Sequence, residues 1–286
     1  MIGTALRERL TADGHEVVRV IRGNQSDPAA HWNPESGWFR EGALEGVDAV
    51  VSLMGASIGE GRWTESRKKE LSDSRVKATR LLVDHLASLE RKPATFVSAS
   101  AVGFYGDRGD EELTEESAKG TGFLAELVED WEEETFRARD AGMRTVATRF
   151  GPVMSRKGGA LSQMLLPFKL GVGGRLASGK QWMAMVSLDD AVGALVHALT
   201  SPLEGVVNVT AAPATNAEFT KELGKALHRP TLFPVPSFAL KTLFGGELAD
   251  ELLLVSQRVI SNKLAASGYS LRYPSVSAVV GAALAD

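Results

Sequence analysis

Arg22 stands directly after the Val-rich run "HEVVRVI" (15–21), and a guanidinium in that place has a definite chemical use. In a dinucleotide-binding sheet, an acidic residue at the end of the second strand hydrogen-bonds a free ribose 2′-hydroxyl, whereas an arginine accommodates a 2′-phosphate. No Asp or Glu ends this run. The plainer reading of Arg22 is a solvated surface arginine. Gly3 lies in the first turn of a helical pattern. A glycine there lets a helix N-terminus approach a pyrophosphate closely, although a helical glycine needs no function. "SLMGAS" ends another Val-rich run with the small residues Gly55 and Ala56, which admit a ligand against backbone or simply make a tight turn.

The densest polar stretch is "GEGRWTESRKKELSDSRVKATRLL". Helical spacing sets Arg67, Glu70 and Ser74 on one side, which by itself describes a solvated face with i,i+3 and i,i+4 pairs. Arg62 and Trp63 join a cation to an aromatic in a glycine-flanked loop, suited to stacking on a ligand or to packing in a core. His15, His31, His85, His197 and His228 are scattered, with no pair at i,i+3 or i,i+4, so no metal site is expected. The chain has no cysteine. Disulfides, thiolate catalysis and zinc–thiolate sites are thereby excluded.

These residues need a scaffold, and the pattern around them supplies one. At 286 residues the chain exceeds a single simple core. Runs at 15–21, 48–54, 94–100 and 144–151 alternate with helical patterns at 1–13, 64–91 and 120–141. "MVSLDDAVGALVHALTS" reads as a strand end and a helix capped by Asp189 or Asp190, and "GVVNVTA" as another strand. Continuous apolar, Val-rich strands are buried on both faces, so a parallel sheet with helices on each side is expected, an α/β fold. Gly- and Pro-rich "GVGGRLASGKQW" and "RPTLFPVPSFALKTLFGG" mark a smaller lobe over the strand ends. The net charge of −4 gives no footprint for nucleic acid or an anionic membrane, and neither partner is expected. No apolar run reaches the ~20 residues of a membrane span, and no secretory pattern opens the chain, so a cytoplasmic protein is expected.

With "SLMGASIGEGRW", "SDSRVKATRLL", "SASAVGFYG", "FLAELVEDWE", "TRFGPVMSRKGGAL", "LPFKLGVGGRLASGKQW" and "PATNAEF", the chain resembles the atypical extended short-chain dehydrogenase/reductases of the epimerase family, the SulA-type nucleoside-diphosphate-sugar epimerase-like proteins. The resemblance runs over essentially the whole chain. It implies a Rossmann-type, doubly wound parallel sheet with a smaller C-terminal substrate lobe. The NADP(H)-binding lobe would span 1–155 with 186–210 contributing, and the substrate lobe 156–185 and 211–286. Matched to the family's motifs, the cofactor contacts are Gly3, Ile21, Arg22, Leu53, Met54, Gly55, Glu70, Arg75 (after Ser74) and Val153. A second arginine would neutralise phosphate, and the carboxylate would accept ribose hydrogen bonds or hold an arginine. Arg62, Trp63, Gln181 and Trp182 would line a substrate pocket.

Extended short-chain dehydrogenases move the substrate proton with a Tyr-x-x-x-Lys pair and a Ser or Thr. In this chain Phe123 stands at the Tyr, Leu127 at the Lys and Ala101 at the Ser/Thr, with Ser100 one residue before it. Neither Phe nor Leu transfers a proton. Ser100 and Tyr105 remain as catalytic candidates, each with packing as the other reading. Glu132 is either a buried carboxylate or, as the acidic run 129–134 favours, a surface residue. Asn208 and Asn216 are candidate pocket groups or turn and capping residues. The register predicts that Phe123→Tyr with Leu127→Lys would create reductase activity rather than perturb packing. Two functions fit: an NADP-dependent oxidoreductase or epimerase-like enzyme on an unidentified small molecule, and a catalytically weak NADP(H)-sensing binding protein.

Helix 1–13 opens the pattern at Met1, and "MIGT" matches only the end of the family's Gly-x-x-Gly-x-Ile-Gly turn. The first strand, central in the family's sheet, and the first two glycines are therefore expected to be missing from this chain. Strands 15–21 and 48–54 would then face each other across a gap, unless the sheet closes up or a partner chain lends a strand.

Overall fold

The computed structural model describes residues 1–29 and 31–286. Ala49–Ser52 (β1), Thr95–Ala101 (β2), Arg144–Phe150 (β3) and Gly205–Val209 (β4) form one parallel sheet in the order β4-β3-β2-β1. In register, Val50 pairs with Phe96, Val97 with Val146 and Val207 with Thr148. The helices that accompany it include α1 (Ile2–Ala12), α2 (Glu65–Ser72), α3 (Ala78–Ser88), α4 (Phe123–Phe136), α5 (Gly159–Lys169), α6 (Leu188–Thr200), α7 (Asn216–Leu227) and α8 (Ser237–Phe244).

The alternation of side chains along β2 explains the layers. Val97 points into a core with Leu6 of α1 and Ala191 and Leu195 of α6, while Phe96 points into a core with Leu82, Val83 and Leu86 of α3. Helices thus cover both faces, as the expected doubly wound sheet requires. Each fully buried aliphatic side chain contributes about 1.5–3 kcal/mol. A further core joins Leu161 and Phe168 of α5, Phe219 and Leu223 of α7, and Val279 and Val280 of a C-terminal helix (Val276–Ala285). No described helix is long and apolar enough to cross a membrane.

Two expectations fail locally. Residues 15–21 form no strand, and Val18 and Val20 are exposed. A strand needs a neighbour for its N–H and C=O groups. Among the described residues none pairs with the outer edge of β1, and 15–21 does not close up onto it. The run is tied at its ends, where His15 N–H donates to the Leu10 carbonyl at 2.9 Å, Arg22 bridges Trp32 and Ile21 accepts from His31 at 2.7 Å. The cap of α6 is also not an aspartate. Ser187 accepts from the Asp190 N–H, and the buried Asp190 carboxylate instead holds the backbone N–H groups of Arg272 (2.7 Å) and Tyr273 (2.9 Å). A serine is an equally good N-cap, so the two aspartates behind it were free for other work.

Near the end of α4, the buried Glu134 receives Arg80 from α3 and Arg137 from the turn that follows α4. Burial by itself raises this carboxyl, but the two arginines outweigh it and hold it below the ordinary glutamate range. A depressed folded pKa adds stability that is complete above the unfolded value and is lost as pH falls through the folded one. Glu134→Gln should therefore lower stability near neutral pH and lose most of that difference in acid. A difference from wild type that stays constant from pH 7 to pH 3 in denaturant titrations would contradict this.

Candidate functional site

The turn after β1 is fixed by side chains from the helix that follows it. Between α2 and α3 the helix widens into a single π turn, Asp73–Lys77, of the kind that concentrates at functional sites. The widening turns Ser74 and Arg75 inward. The Ser74 hydroxyl accepts from the Ala56 N–H at 3.0 Å, and Arg75 donates to the Ala56 carbonyl at 2.9 Å. Both polar groups of the Ala56 peptide are thereby fixed. Gly55 has φ +151°, and a Cβ there would meet the Arg75 guanidinium at 2.8 Å. The positive φ favours glycine, and any larger residue would also have to displace the Arg75 guanidinium.

Arg75 is itself unusual. It is buried, donates otherwise to the Leu71 carbonyl, and lies over the Trp131 ring at 5.4 Å. Among the described residues no carboxylate pairs with it. Burial, with the nearby Arg67 charge, brings its pKa down to about 10, still charged at neutral pH. Glu70 does not hold Arg75; it is exposed and pairs with Arg67 at 2.6 Å. Arg67 reaches back to the Ser57 carbonyl, and its Nε has no partner. Two guanidiniums therefore sit under the carboxyl end of β1 with one exposed carboxylate between them.

Other matched positions converge on the same edge. Ile2, Leu53, Ala99 and Val153 pack on one cluster, which sets the start of α1 beside the ends of β1, β2 and β3. A Cβ on Gly3 would lie 3.6 Å from Leu53. The first turn of α1 has no side-chain cap, so its N–H groups and the positive end of its dipole are available to an anion. Met54 packs on the opposite face, against the α3 core. Arg22 is exposed just past the half-buried Ile21.

Ser100 and Tyr105 belong to a closed network instead. Ser100 donates to Glu132, which receives Arg149 in a fork, Nε at 2.8 Å and Nη2 at 2.6 Å. Arg149 also donates to the Tyr105 hydroxyl at 3.0 Å, and Tyr105 donates to Asn208 at 2.8 Å. Asn208 donates to the Ile260 carbonyl. The Arg149 guanidinium lies 3.4 Å from the centre of the Phe104 ring. Every member of the chain from Ser100 to Asn208 is buried. Burial pushes the Tyr105 phenol up despite the Arg149 charge, making it a weaker acid. The surface reading of Glu132 is thus overturned: it is 6% exposed and neutralises a buried arginine. The spacing Leu124–Val128–Glu132, i,i+4,i+8, was the signal, because it puts Glu132 on the buried stripe of α4.

At the start of α4 the Tyr-equivalent Phe123 ring meets Trp63 edge-on at 5.2 Å, with the Lys68 ammonium over its face at 5.3 Å. Leu127 is buried beside Leu71 and Leu124. Sequence reasoning missed Glu251, whose carboxylate accepts from the N–H groups of Phe123 (3.0 Å) and Leu124 (2.8 Å) and so caps α4. No local pattern announces a cap supplied from 127 residues away. Lys68 pairs with Glu247 at 2.6 Å, and Arg62 donates to the Thr242 carbonyl, so this C-terminal segment rests on the Arg62–Trp63 loop. Gln181 and Trp182 reach the same C-terminal segment from another side, donating to the Leu253 carbonyl (3.5 Å) and the Ser256 hydroxyl (3.1 Å). Gln181 is buried and donates to the Leu176 carbonyl at 3.2 Å, while Trp182 donates to Asp110 at 2.8 Å under Arg258. Asn216 accepts from the Leu176 N–H, which makes it a loop anchor.

A doubly wound parallel sheet whose strand ends meet an uncapped helix and a glycine turn defines a Rossmann-type dinucleotide-binding fold. Residues 1–210 match the model of the NAD dependent epimerase/dehydratase family, and the chain belongs to that family. Residues 235–283 match a domain of unknown function, DUF1731. The chain is 44% identical over 284 residues to epimerase family protein MT2273 of Mycobacterium tuberculosis, covering 98% of this chain and 93% of that protein. It is 36% identical to epimerase family protein SDR39U1 of Homo sapiens, over 98% and 94% of the two chains. The crystal structure of human SDR39U1 (isoform 2) with NADPH superposes with a TM-score of 0.88, covering 99% of this chain and 96% of that one at 36% identity.

Proposed function

We propose that this chain binds NADP(H) across the carboxyl ends of β1–β3 and serves an oxidoreductase or epimerase-like reaction on a small molecule, without a Tyr-x-x-x-Lys pair. The observation that carries this reading is the Arg75-braced turn at Gly55 and Ala56, a buried cation without a carboxylate beside an uncapped helix N-terminus. The residues present fit the cofactor. The N–H groups at the start of α1, including Gly3, would face the pyrophosphate. Leu53, Met54 and Gly55 would flank the nucleotide, Val153 its far end, and Arg22 would take the 2′-phosphate. Arg75 acts by fixing the turn and adding positive potential from below. The relative crystallised with NADPH supports the same choice. When bound, the cofactor would supply hydride chemistry. The chain's own residues exclude water around it through Trp63, Phe123 and the segment carrying Glu247 and Glu251. The location we propose is the cytoplasm, from a sequence that opens with no secretory pattern.

NADPH should bind more tightly than NADH, and Arg22→Ala should remove most of the difference, a loss of roughly tenfold to a hundredfold in NADPH affinity. Titrating both cofactors into wild type and variant checks it; equal wild-type affinities would sink the assignment. One observation favours a sensing role over turnover: Ser100 and Tyr105 are locked away and Phe123 has no hydroxyl. Adding metabolite fractions to the NADPH-loaded protein separates the two. Cofactor oxidation means an enzyme, and its absence across all fractions supports a sensor.

A further inference from the structure

The seven most exposed large apolar side chains, from Val172 at 64% to Phe233 at 74%, all lie in residues 166–172 or 232–243. These stretches run side by side. Val235 N–H donates to the Arg175 carbonyl and Ala177 N–H to the Val235 carbonyl, each at 2.8 Å, and Arg229 donates to the Lys169 carbonyl at 2.8 Å. Gly174 lies directly against the Phe233 carbonyl. The exposed Leu170, Val172, Leu232 and Phe233 therefore share one rim of the second lobe. Scattered apolar residues are ordinary on a surface, but a cluster of Leu and Phe at this exposure is not.

The two segments that build this rim are basic, although Arg156 lies away from it against the C-terminal Asp286 and Lys241 pairs with Asp250. Residues 156–188 and 223–246 hold eight Lys and Arg and no Asp or Glu, so the rest of the chain carries 24 basic side chains against all 36 acidic ones. The net charge of −4 averages over this division. Lys169, Arg175, Lys225 and Arg229 are exposed, and none forms an ion pair among the described residues. A second copy of this acidic chain would meet the rim with its own like-charged rim in a two-fold contact. An anionic lipid surface offers negative charge and an apolar layer at once, as an interfacial surface of Leu, Phe and Lys/Arg requires.

We infer that this rim docks the protein peripherally on anionic membranes, with Leu170, Val172, Leu232 and Phe233 entering the headgroup boundary and Lys169, Arg175 and Lys225 resting on lipid phosphates. This is independent of the cofactor reading, and it departs from the expectation that net charge alone produced.

Vesicle flotation tests it, with phosphatidylcholine alone against phosphatidylcholine containing about 30 mol% phosphatidylglycerol. The protein should float with the anionic vesicles only, and high salt should release it. The charge-reversed Lys169→Glu/Arg175→Glu/Lys225→Glu protein should partition roughly a hundredfold less. Leu170→Ser/Phe233→Ser should also weaken binding, while both variants keep wild-type circular dichroism and NADPH affinity. No flotation of wild type, or flotation equal on both lipids and indifferent to charge reversal, overturns the inference. So does a change of oligomeric state with the Leu170 and Phe233 substitutions, measured by light scattering, without lipid binding.

Discussion

Glu132→Leu is expected to lower the unfolding free energy by about 3–5 kcal/mol, and Arg149→Met by a similar amount, while the double variant recovers most of the loss. Glu132 and Arg149 are 6% and 3% exposed and face each other through two hydrogen bonds in the core between α4 and β3. Removing one partner strands the other charge in low dielectric, with only neutral groups to solvate it. Arg149 would keep the Tyr105 hydroxyl and the Phe104 ring; Glu132 would keep only Ser100. Removing both replaces two desolvated ions by apolar side chains of comparable size, which buried pairs tolerate well. Each single loss is a large part of a typical net stability of ~5–15 kcal/mol. Urea titrations of the four proteins give the coupling directly. If the double variant lost the sum of the singles, the two residues would not act as one neutralised unit.

The same network explains what was legible in the sequence. The runs at 49–52, 95–101, 144–150 and 205–209 became the sheet because each has apolar residues for both faces, and the polar ones that β2 and β3 also bury, such as Ser100 and Arg149, find hydrogen-bond partners. The small residues after β1 also announced their turn. The run 15–21 carries the same composition and forms no strand, because composition reports the burial a strand could use and not whether a neighbour stands beside it. Glu132 looked like one of a row of surface acids, since a run of carboxylates hides the single position that faces inward. Arg75 sat in a stretch that any helical reading makes solvated; only the π turn, invisible in a 3.6-residue period, rotates it under Gly55. Glu251 lies beyond any local rule, because its partners are the N–H groups of a helix far away in the chain.

Introducing a Tyr-x-x-x-Lys pair is expected to destabilise the protein strongly rather than to make a reductase. The alignment of "FLAEL" suggested that Phe123→Tyr with Leu127→Lys would supply activity at little structural cost. Phe123 is half-buried at the first residue of α4, its ring against Trp63, and a tyrosine there keeps the ring and adds one hydroxyl. That single change should shift stability by less than about 1 kcal/mol, the usual cost of a near-isosteric swap. Leu127 is different. It is 4% exposed in a cluster with Leu71 and Leu124, and Leu71 is wholly buried. A lysine there must bury its ammonium among leucines or push the cluster apart. The expected loss is about 3–5 kcal/mol for Leu127→Lys alone and the same for the pair. Denaturant unfolding of both single variants and the double, read beside NADPH oxidation, tests the point. A double variant as stable as Phe123→Tyr, with new NADPH-dependent reductase activity, would show that α4 offers Leu127 to the cofactor rather than to the core.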